Sequence, residues 1–189
     1  GGTKRGAHPK LRAVLRMPGG GANIKRASVA LPRSEFLDQS NIGTVCTRVQ
    51  FARDACPAAS VYGFAQAKTP LLEETLSGPV YLRSSDNLLP DLVVALRGKI
   101  DVDVVGRIDS VRGGIRNTFD LVPDAPVESF TLTLRGGRKG LLINSTNLCK
   151  RTNRALAKFT AQNGRVAVSH PALRNSCKKA KRKAARKNP

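Results

Sequence analysis

The chain has 189 residues and 40% hydrophobic content, which is enough for one ordinary domain with a real core and tails. Its 33 Lys and Arg residues against 13 Asp and Glu give a net charge of +20, yet six Phe, two Tyr and no Trp leave few flat platforms for nucleobases. No run approaches the roughly 20 apolar residues of a membrane-spanning helix, so we expect no membrane span.

The N-terminal part of the chain predicts a loose lead, two strands and one helix. Residues 1–10 are rich in Gly, Lys, Arg and Pro without periodicity, so we expect a flexible basic lead. Two strands are predicted next, over residues 11–17 and 24–31. Asp38 or Ser40 is then expected to cap the single helix, which continues through Phe51 and contains Cys46.

From residue 60 onward, apolar and polar residues alternate with a period of two, which is typical of β-strands. The strands predicted in this part cover residues 60–68, 76–83, 92–96, 100–108, 115–122, 128–134, 140–143, 155–161 and 165–169. Gly78-Pro79 interrupts the second of them, which predicts an edge or bulged strand. Hairpins are predicted at residues 110–114, around residues 135–139 and at Asn163-Gly164.

Strand signals recur at intervals of roughly eight to twelve residues without helices between them, a spacing typical of antiparallel sheets. The predicted fold is therefore mainly β: an antiparallel β-sandwich or a barrel-like fold, with one short helix and a disordered basic C-terminal tail. We expect three parts, namely the lead at 1–10, a single disulfide-stapled β-rich domain at 11–177, and a Lys/Arg-rich tail at 178–189.

The four cysteines form no CxxC or Cys/His pattern with zinc spacing, which favours disulfides over free buried thiols or a metal. Pairs Cys46–Cys56 and Cys149–Cys177 close the shorter loops, so we expect this connectivity. Disulfides imply an oxidising compartment, hence an extracellular or cell-surface location. Residues 1–15 lack the apolar segment of a signal peptide, so we expect the numbering to start inside a longer precursor.

Four sequence segments between Cys56 and Cys149 resemble those of a known group of proteins. They are CPAASVYGFAQAKTPLL, LSGPVYLRSSDNLLPDLVVALRG, GRIDSVRGGIRNTFDLVPDAPV and GGRKGLLINSTNLC. Over most of residues 24–177 the chain resembles an uncharacterised secreted domain of actinobacteria, found in large exported or surface proteins. The resemblance implies secretion and a repeat-like structural module, and neighbouring domains of a longer precursor are expected partners. It implies no catalytic residue and no cofactor.

The strongest functional signal is the basic C-terminal tail. Residues 1–33 and 174–189 each hold eight basic residues and no acid, whereas the residues between them are only slightly basic. A run of this kind binds polyanions through counterion release, with little specificity. The residues expected to bind are Lys178, Lys179, Lys181, Arg182, Lys183, Arg186 and Lys187. Anionic envelope polymers or acidic polysaccharides come first as partners, then lipid head groups, with nucleic acid bound only nonspecifically; a merely solubilising tail is the alternative.

The Arg-Gly-Gly segments and the aspartates of the chain have structural rather than functional explanations. Arg112-Gly-Gly and Arg135-Gly-Gly are expected at hairpin turns rather than as RNA-binding elements. Three carboxylates that could otherwise suggest a Ca²⁺ site are expected to be neutralised by Arg97 and Arg107; they are Asp101, Asp103 and Asp109. Asp91 and Asp124 each follow a proline and are expected to fix turns. We expect no metal, no cofactor and no catalytic residue.

Three functions follow from these observations. The first is a non-enzymatic exported structural or surface module, held electrostatically to anionic envelope polymers by its basic ends. The second is a carbohydrate- or protein-binding adhesion domain using loops 84–91 and 120–128, which an exposed cluster of Tyr62, Phe64 and Tyr81 would favour. The third is an envelope hydrolase whose residues the sequence does not reveal, since His8 and His170 lack an evident nucleophile.

Overall fold

The computed structural model describes residues 2–111 and 113–177. In this part of the chain the strands are β1 (Leu11–Arg16), β2 (Ile24–Ala30), β3 (Glu35–Leu37), β4 (Val61–Lys68), β5 (Leu76–Arg83), β6 (Asp91–Leu96), β7 (Val102–Val111), β8 (Gly114–Phe119), β9 (Ser129–Leu134), β10 (Leu142–Asn144), β11 (Leu156–Ala161) and β12 (Val166–Ser169). One α-helix, α1, covers Arg48–Ala52, and 3-10 turns cover Gln39–Asn41, Ala58–Ser60 and Gly137–Lys139.

Ten of these strands form one curled antiparallel sheet in the order β1-β9-β4-β5-β6-β7-β8-β2-β11-β12. The other two, β3 and β10, form a small antiparallel ribbon beside it. The predicted mainly β, antiparallel fold is confirmed. The hairpins predicted between β7 and β8 and between β11 and β12 are confirmed as well, and Gly164 in the second turn has a φ of +80°.

The core lies inside the curl of the sheet and centres on β6, all six residues of which are buried. Val94 and its alternate neighbours on β6 pack with Val80 and Leu82 of β5 on the inner face. On the outer face Val93 lies in register with Tyr81, whose ring packs edge-on against Phe51 of α1 at 6.0 Å between ring centroids. The segment containing α1 therefore covers the outer face of β5 and β6.

The predicted helix from Asp38 to Phe51 is wrong in extent. Asp38 does accept a hydrogen bond from the Ser40 amide, but it caps only the 3-10 turn, and α1 begins separately after Thr47. Cys46 lies outside any helix: its amide donates to the Leu82 carbonyl at 2.8 Å. This long-range pairing with β5 holds the chain extended, and residues 42–47 contain Gly and β-branched residues, which do not oppose it.

One prediction about strand pairing is wrong, and another holds only in part. The hairpin expected between 128–134 and 140–143 does not form, because β9 lies between β1 and β4 while β10 pairs with β3. Of the edge or bulged strand predicted for β5, the edge is wrong, since β4 and β6 flank this strand. Its Gly78-Pro79 step is accommodated where the β5–β6 pairing is interrupted, between Ser77↔Arg97 and Val80↔Val94. These pairings are long-range, so strand spacing along the chain does not reveal them.

The expected flexible lead is also corrected. Residues 2–10, called the lead from here on, run along β10 and bond to it: the Gly6 amide donates to the Asn144 carbonyl at 2.9 Å, and the Asn144 amide donates to the Ala7 carbonyl at 3.0 Å. The side-chain amide of buried Asn144 also donates to the carbonyls of Gly2 and Lys4. The lead is held by backbone hydrogen bonds. Because such bonds do not require apolar side chains, no hydrophobic periodicity in the sequence reveals them. The expected tail, 178–189, lies outside the described residues.

Both predicted disulfides are present. Cys46–Cys56 encloses α1 and has a Cα–Cα distance of 5.2 Å, and Cys149–Cys177 encloses the β11–β12 hairpin with 5.6 Å. The described residues contain no free cysteine. Two disulfides are compatible with an oxidising environment.

A buried carboxyl group lies where the lead meets the ribbon. Glu35 is only 3% exposed and lies in register with Asn144. In the described structure, Oε2 of Glu35 and Oδ1 of Asn144 are both buried without a hydrogen-bond partner. Burial raises the pKa of Glu35 from 4.5 to about 7. The folded protein therefore binds this proton more tightly than the unfolded chain does.

This pKa shift predicts that Glu35 makes the free energy of unfolding depend on pH. The stabilisation is fully present below about pH 4.5 and decreases as the pH rises to about 7, by about 3 kcal/mol at about 1.4 kcal/mol per pKa unit. The variant Glu35→Gln should lose this slope, whereas Glu74→Gln, at an exposed position, should keep it. Urea unfolding across this range tests it, and identical pH profiles for Glu35→Gln and the wild type would refute the assignment.

Candidate functional site: a basic groove beside the lead

The loop that follows β9 is fixed by hydrogen bonds to two neighbouring segments. The Arg135 amide donates to the Tyr62 carbonyl at 2.9 Å, and the Gly137 amide donates to the His8 carbonyl at 2.9 Å. The loop then forms its 3-10 turn, in which Gly137 has a φ of +75°. Such a φ favours glycine. A turn therefore follows Arg135-Gly-Gly, but it is not the hairpin turn expected there, since β9 and β10 do not pair.

Close packing against the lead explains the other glycines of this loop. A Cβ atom at Gly136 would collide with the backbone of Pro9 and Lys10. At Gly140 it would lie 2.9 Å from Cβ of His8. Only glycine allows the lead to lie this close to the loop, so the two segments are held together as one surface.

His8 contributes a polar contact to the same arrangement. Its Nε2 lies 2.7 Å from Oδ2 of Asp38, and Asn41 donates to the Gly140 carbonyl at 2.8 Å. The pKa of Asp38 is lowered, first by its hydrogen bond from the Ser40 hydroxyl and then by the one from His8. Because the Ser40 hydroxyl donates to the carboxylate at 2.6 Å, this trio does not prepare a serine nucleophile.

These contacts define an open groove of about 590 Å³, called the basic groove from here on. Its lining consists of Lys10, Val61, Gly63, Phe64, Thr133, Arg135, Gly136, Arg138 and Lys139. Four of the nine are cations, and none is acidic. None of the four cations forms an ion pair with a carboxylate of residues 2–111 or 113–177.

The positive surface continues from the basic groove along the outer face of the sheet. Arg12 of β1 and Phe64 of β4 both lie in register with Thr133 of β9. Further along, Arg16 of β1 lies in register with Ser129. Arg12 and Arg16 are exposed, so this face presents cations beside β9 over several residues.

Sequence reasoning missed the basic groove because three separate segments build it: the lead, β4 and the loop after β9. They meet only because β9 lies between β1 and β4, which the sequence pattern does not show. The sequence does contain one signal for a binding surface, namely Arg135, Arg138 and Lys139 in a segment without acidic residues. The requirements of a turn alone also explain that segment.

The sequence suggested two sets of binding residues, seven cations of the tail and an aromatic cluster. Lys178, Lys179, Lys181, Arg182, Lys183, Arg186 and Lys187 all lie outside the described residues. The aromatic cluster expected for an adhesion site does not form, because Tyr62 is buried, with its hydroxyl accepting from the Gly43 amide at 2.9 Å, and Tyr81 packs on Phe51. Phe64 alone of the three is exposed, at 48%.

The two loops proposed for an adhesion site lie at opposite ends of the sheet. Loop 84–91 follows β5 beside Val61, the first residue of β4. Loop 120–128 leads into β9 beside Lys68, the last residue of β4, and the Glu128 amide donates to the Lys68 carbonyl at 2.8 Å. Seven steps along a strand separate these ends by about 23 Å. The two loops therefore cannot form one site.

The acidic residues have local partners. Arg97 lies within 3.8 Å of Asp101 and 2.7 Å of Asp103, and Arg107 lies 3.4 Å from Asp109, so the predicted neutralisation is confirmed. The turn role predicted for Asp91 is wrong, since Asp91 is buried, begins β6 and pairs with Arg83 at 3.4 Å. Asp124 lies in a bend and accepts from the Asn23 side chain at 2.8 Å, which agrees with its predicted role in fixing the loop.

Compared with known proteins, the chain matches no family model, no curated protein and no solved structure. The resemblance to secreted actinobacterial domains therefore stays a prediction. Among the described residues, every helix is too short and too polar to cross a bilayer.

The contacts of His8 predict that its side chain stabilises the loop of the basic groove. His8→Ala removes the bond to Asp38 and should speed amide hydrogen exchange at Gly137 and Gly140 by about threefold to tenfold, as expected for a lost hydrogen bond of about 1 kcal/mol. His170→Ala, at an exposed position remote in the fold, is the matched control. Unchanged exchange at both glycines in His8→Ala would contradict this role.

Proposed function

We propose that this protein is a non-enzymatic exported module that binds anionic envelope polymers or acidic polysaccharides. The observation that carries the proposal is the basic groove, where four cations converge that form no ion pair within residues 2–111 and 113–177, with no carboxylate among the lining residues. Elsewhere on the sheet, arginines such as Arg97 and Arg116 are paired with carboxylates. The basic groove thus leaves its charges available for a ligand.

Electrostatics explains how such a surface binds a polymer. Each cation that neutralises an anionic group releases a counterion, so the affinity falls steeply as the salt concentration rises. The backbone of the lead and of the loop is fixed by hydrogen bonds, which lowers the backbone entropy lost when their cations bind a ligand. The basic tail of the sequence carries further positive charge that suits the same class of partner.

An exported location supports the choice of partner. Two disulfides suit an oxidising compartment, where envelope polymers are abundant and nucleic acid is not. The Ser40 hydroxyl, which donates to Asp38, belongs to a 3-10 turn outside the basic groove. The cations of the basic groove, by contrast, suit the binding of a polyanion.

We expect the four cations of the basic groove to contribute more to polyanion affinity than four exposed cations elsewhere on the protein. A groove-neutral variant changes Lys10, Arg135, Arg138 and Lys139 to Gln. Its affinity for polyphosphate should fall, and the slope of log K against log salt should decrease by up to about 3 units. The measurement is binding of the oxidised full-length chain across a salt series.

Two control variants separate the basic groove from total charge. The first changes four exposed cations elsewhere to Gln, namely Lys25, Arg53, Lys150 and Arg165, and has the same net charge as the groove-neutral variant. The second changes the seven predicted tail cations to Gln. If the groove-neutral variant behaves like the first control, the basic groove is not the binding site. If only the tail variant loses binding, polyanion attachment belongs to the tail alone.

A further inference from the structure

We propose that the basic groove is a specific site for an acidic polysaccharide, in which Phe64 stacks against a sugar ring while the surrounding cations bind its anionic groups. The inference rests on the proposed function and adds to it a requirement for the sugar ring. It therefore distinguishes a carbohydrate-binding site from a surface that binds any polyanion.

Phe64 has the exposure and the setting of a stacking platform. It lies between two flanking strands, in register with Thr133 of β9 and Pro79 of β5, yet 48% of its surface is accessible. Its neighbours are too short to cover the ring. A sugar ring laid on it would bury apolar surface of both partners, as aromatic side chains do in binding sites.

A local irregularity of β4 aims Phe64 outward. The pairing of β4 shifts between Val61 and Gly63, so Tyr62 enters the core while Phe64 faces solvent. Gly63 is required here, since a Cβ atom would lie 2.5 Å from the Thr133 carbonyl. The floor of the basic groove is therefore low next to the ring, and the Thr133 side chain offers a hydroxyl there for a sugar hydroxyl.

Cations lie beside this platform in the lining of the basic groove. Lys10 comes from the lead, and Arg135 and Arg138 come from the loop that the lead holds in place. A guanidinium group binds a carboxylate or a sulfate through two parallel hydrogen bonds, which places the anion as well as attracting it. Charged groups on a sugar would thus be bound while its ring rests on Phe64.

The open shape favours a chain over a small molecule. Beyond the basic groove, the positive surface continues along the outer face from Thr133 to Ser129, a length of about 14 Å at the rise of a strand. Exposed Arg12 and Arg16 border this path. A polysaccharide can therefore extend beyond Phe64 and still contact cations.

Single-stranded nucleic acid fits this surface less well. Proteins that bind it stack successive bases on several aromatic side chains along a charged track. Here Tyr62 is buried and Tyr81 is packed against Phe51, so Phe64 would stack only one base. A single exposed aromatic ring beside cations suits one sugar ring of an anionic polysaccharide better than a row of stacked nucleobases.

The test compares three probes on the oxidised full-length chain at near-physiological salt. Polygalacturonate carries carboxylates on sugar rings, polyglutamate carries carboxylates without rings, and dextran carries rings without charge. The wild type should bind polygalacturonate about threefold to tenfold more tightly than polyglutamate, the range expected for one aromatic contact, and bind dextran weakly. Phe64→Ala should lose this preference while its polyglutamate affinity stays the same.

Control variants and the outcomes complete the test. Phe36→Ala removes another exposed Phe, 40% accessible on β3, and should keep the preference, as should Phe64→Tyr. Equal binding of the two anionic polymers, with no effect of Phe64→Ala, would overturn the inference and leave the proposed function intact. Failure to bind either one would overturn both. Tighter, Phe64-dependent binding of single-stranded DNA would reassign the basic groove to nucleic acid and overturn the inference.

Discussion

The docking of the lead against β10 and the loop after β9 is the constraint on which the functional surface depends. Asn144 is central to it, because its backbone pairs with Gly6 and Ala7 while its side chain donates to two further carbonyls of the lead. Beyond it, His8 contacts Asp38 and its carbonyl accepts from Gly137. A segment of nine residues is thereby fixed mainly by hydrogen bonds rather than by apolar packing, with Glu35 buried at the junction.

The lead determines the geometry of the basic groove. Lys10 belongs to it directly, and the loop bearing Arg135 and Arg138 packs against it through glycines that have no room for a side chain. Cations on a fixed backbone bind an anion with less loss of entropy than cations on a freely moving one. The folded surface therefore presents its charges from a fixed backbone beside an aromatic ring.

Local sequence patterns, namely alternation of apolar residues and cysteine spacing, predicted most strands and both disulfides. Strand β5 was predicted with both of its ends, because alternation over Leu76–Arg83 reflects one face turned to the core. Cys46–Cys56 followed from loop length. The helix, the β9–β10 hairpin and the free lead were wrong because long-range backbone pairing decided them: Cys46 bonds to β5, β9 is placed between β1 and β4, and residues 2–10 pair with β10. The basic groove could not be predicted without those pairings.

The central claim is that polyanions bind at the basic groove, on the folded surface. Amide hydrogen exchange of the oxidised full-length chain, with and without polygalacturonate, tests it most directly. We expect polygalacturonate to slow amide exchange at residues 63–64 and 135–140 and around Lys10, with no change in the β11–β12 hairpin. Protection confined to residues 178–189, or centred on the β11–β12 hairpin, would contradict it.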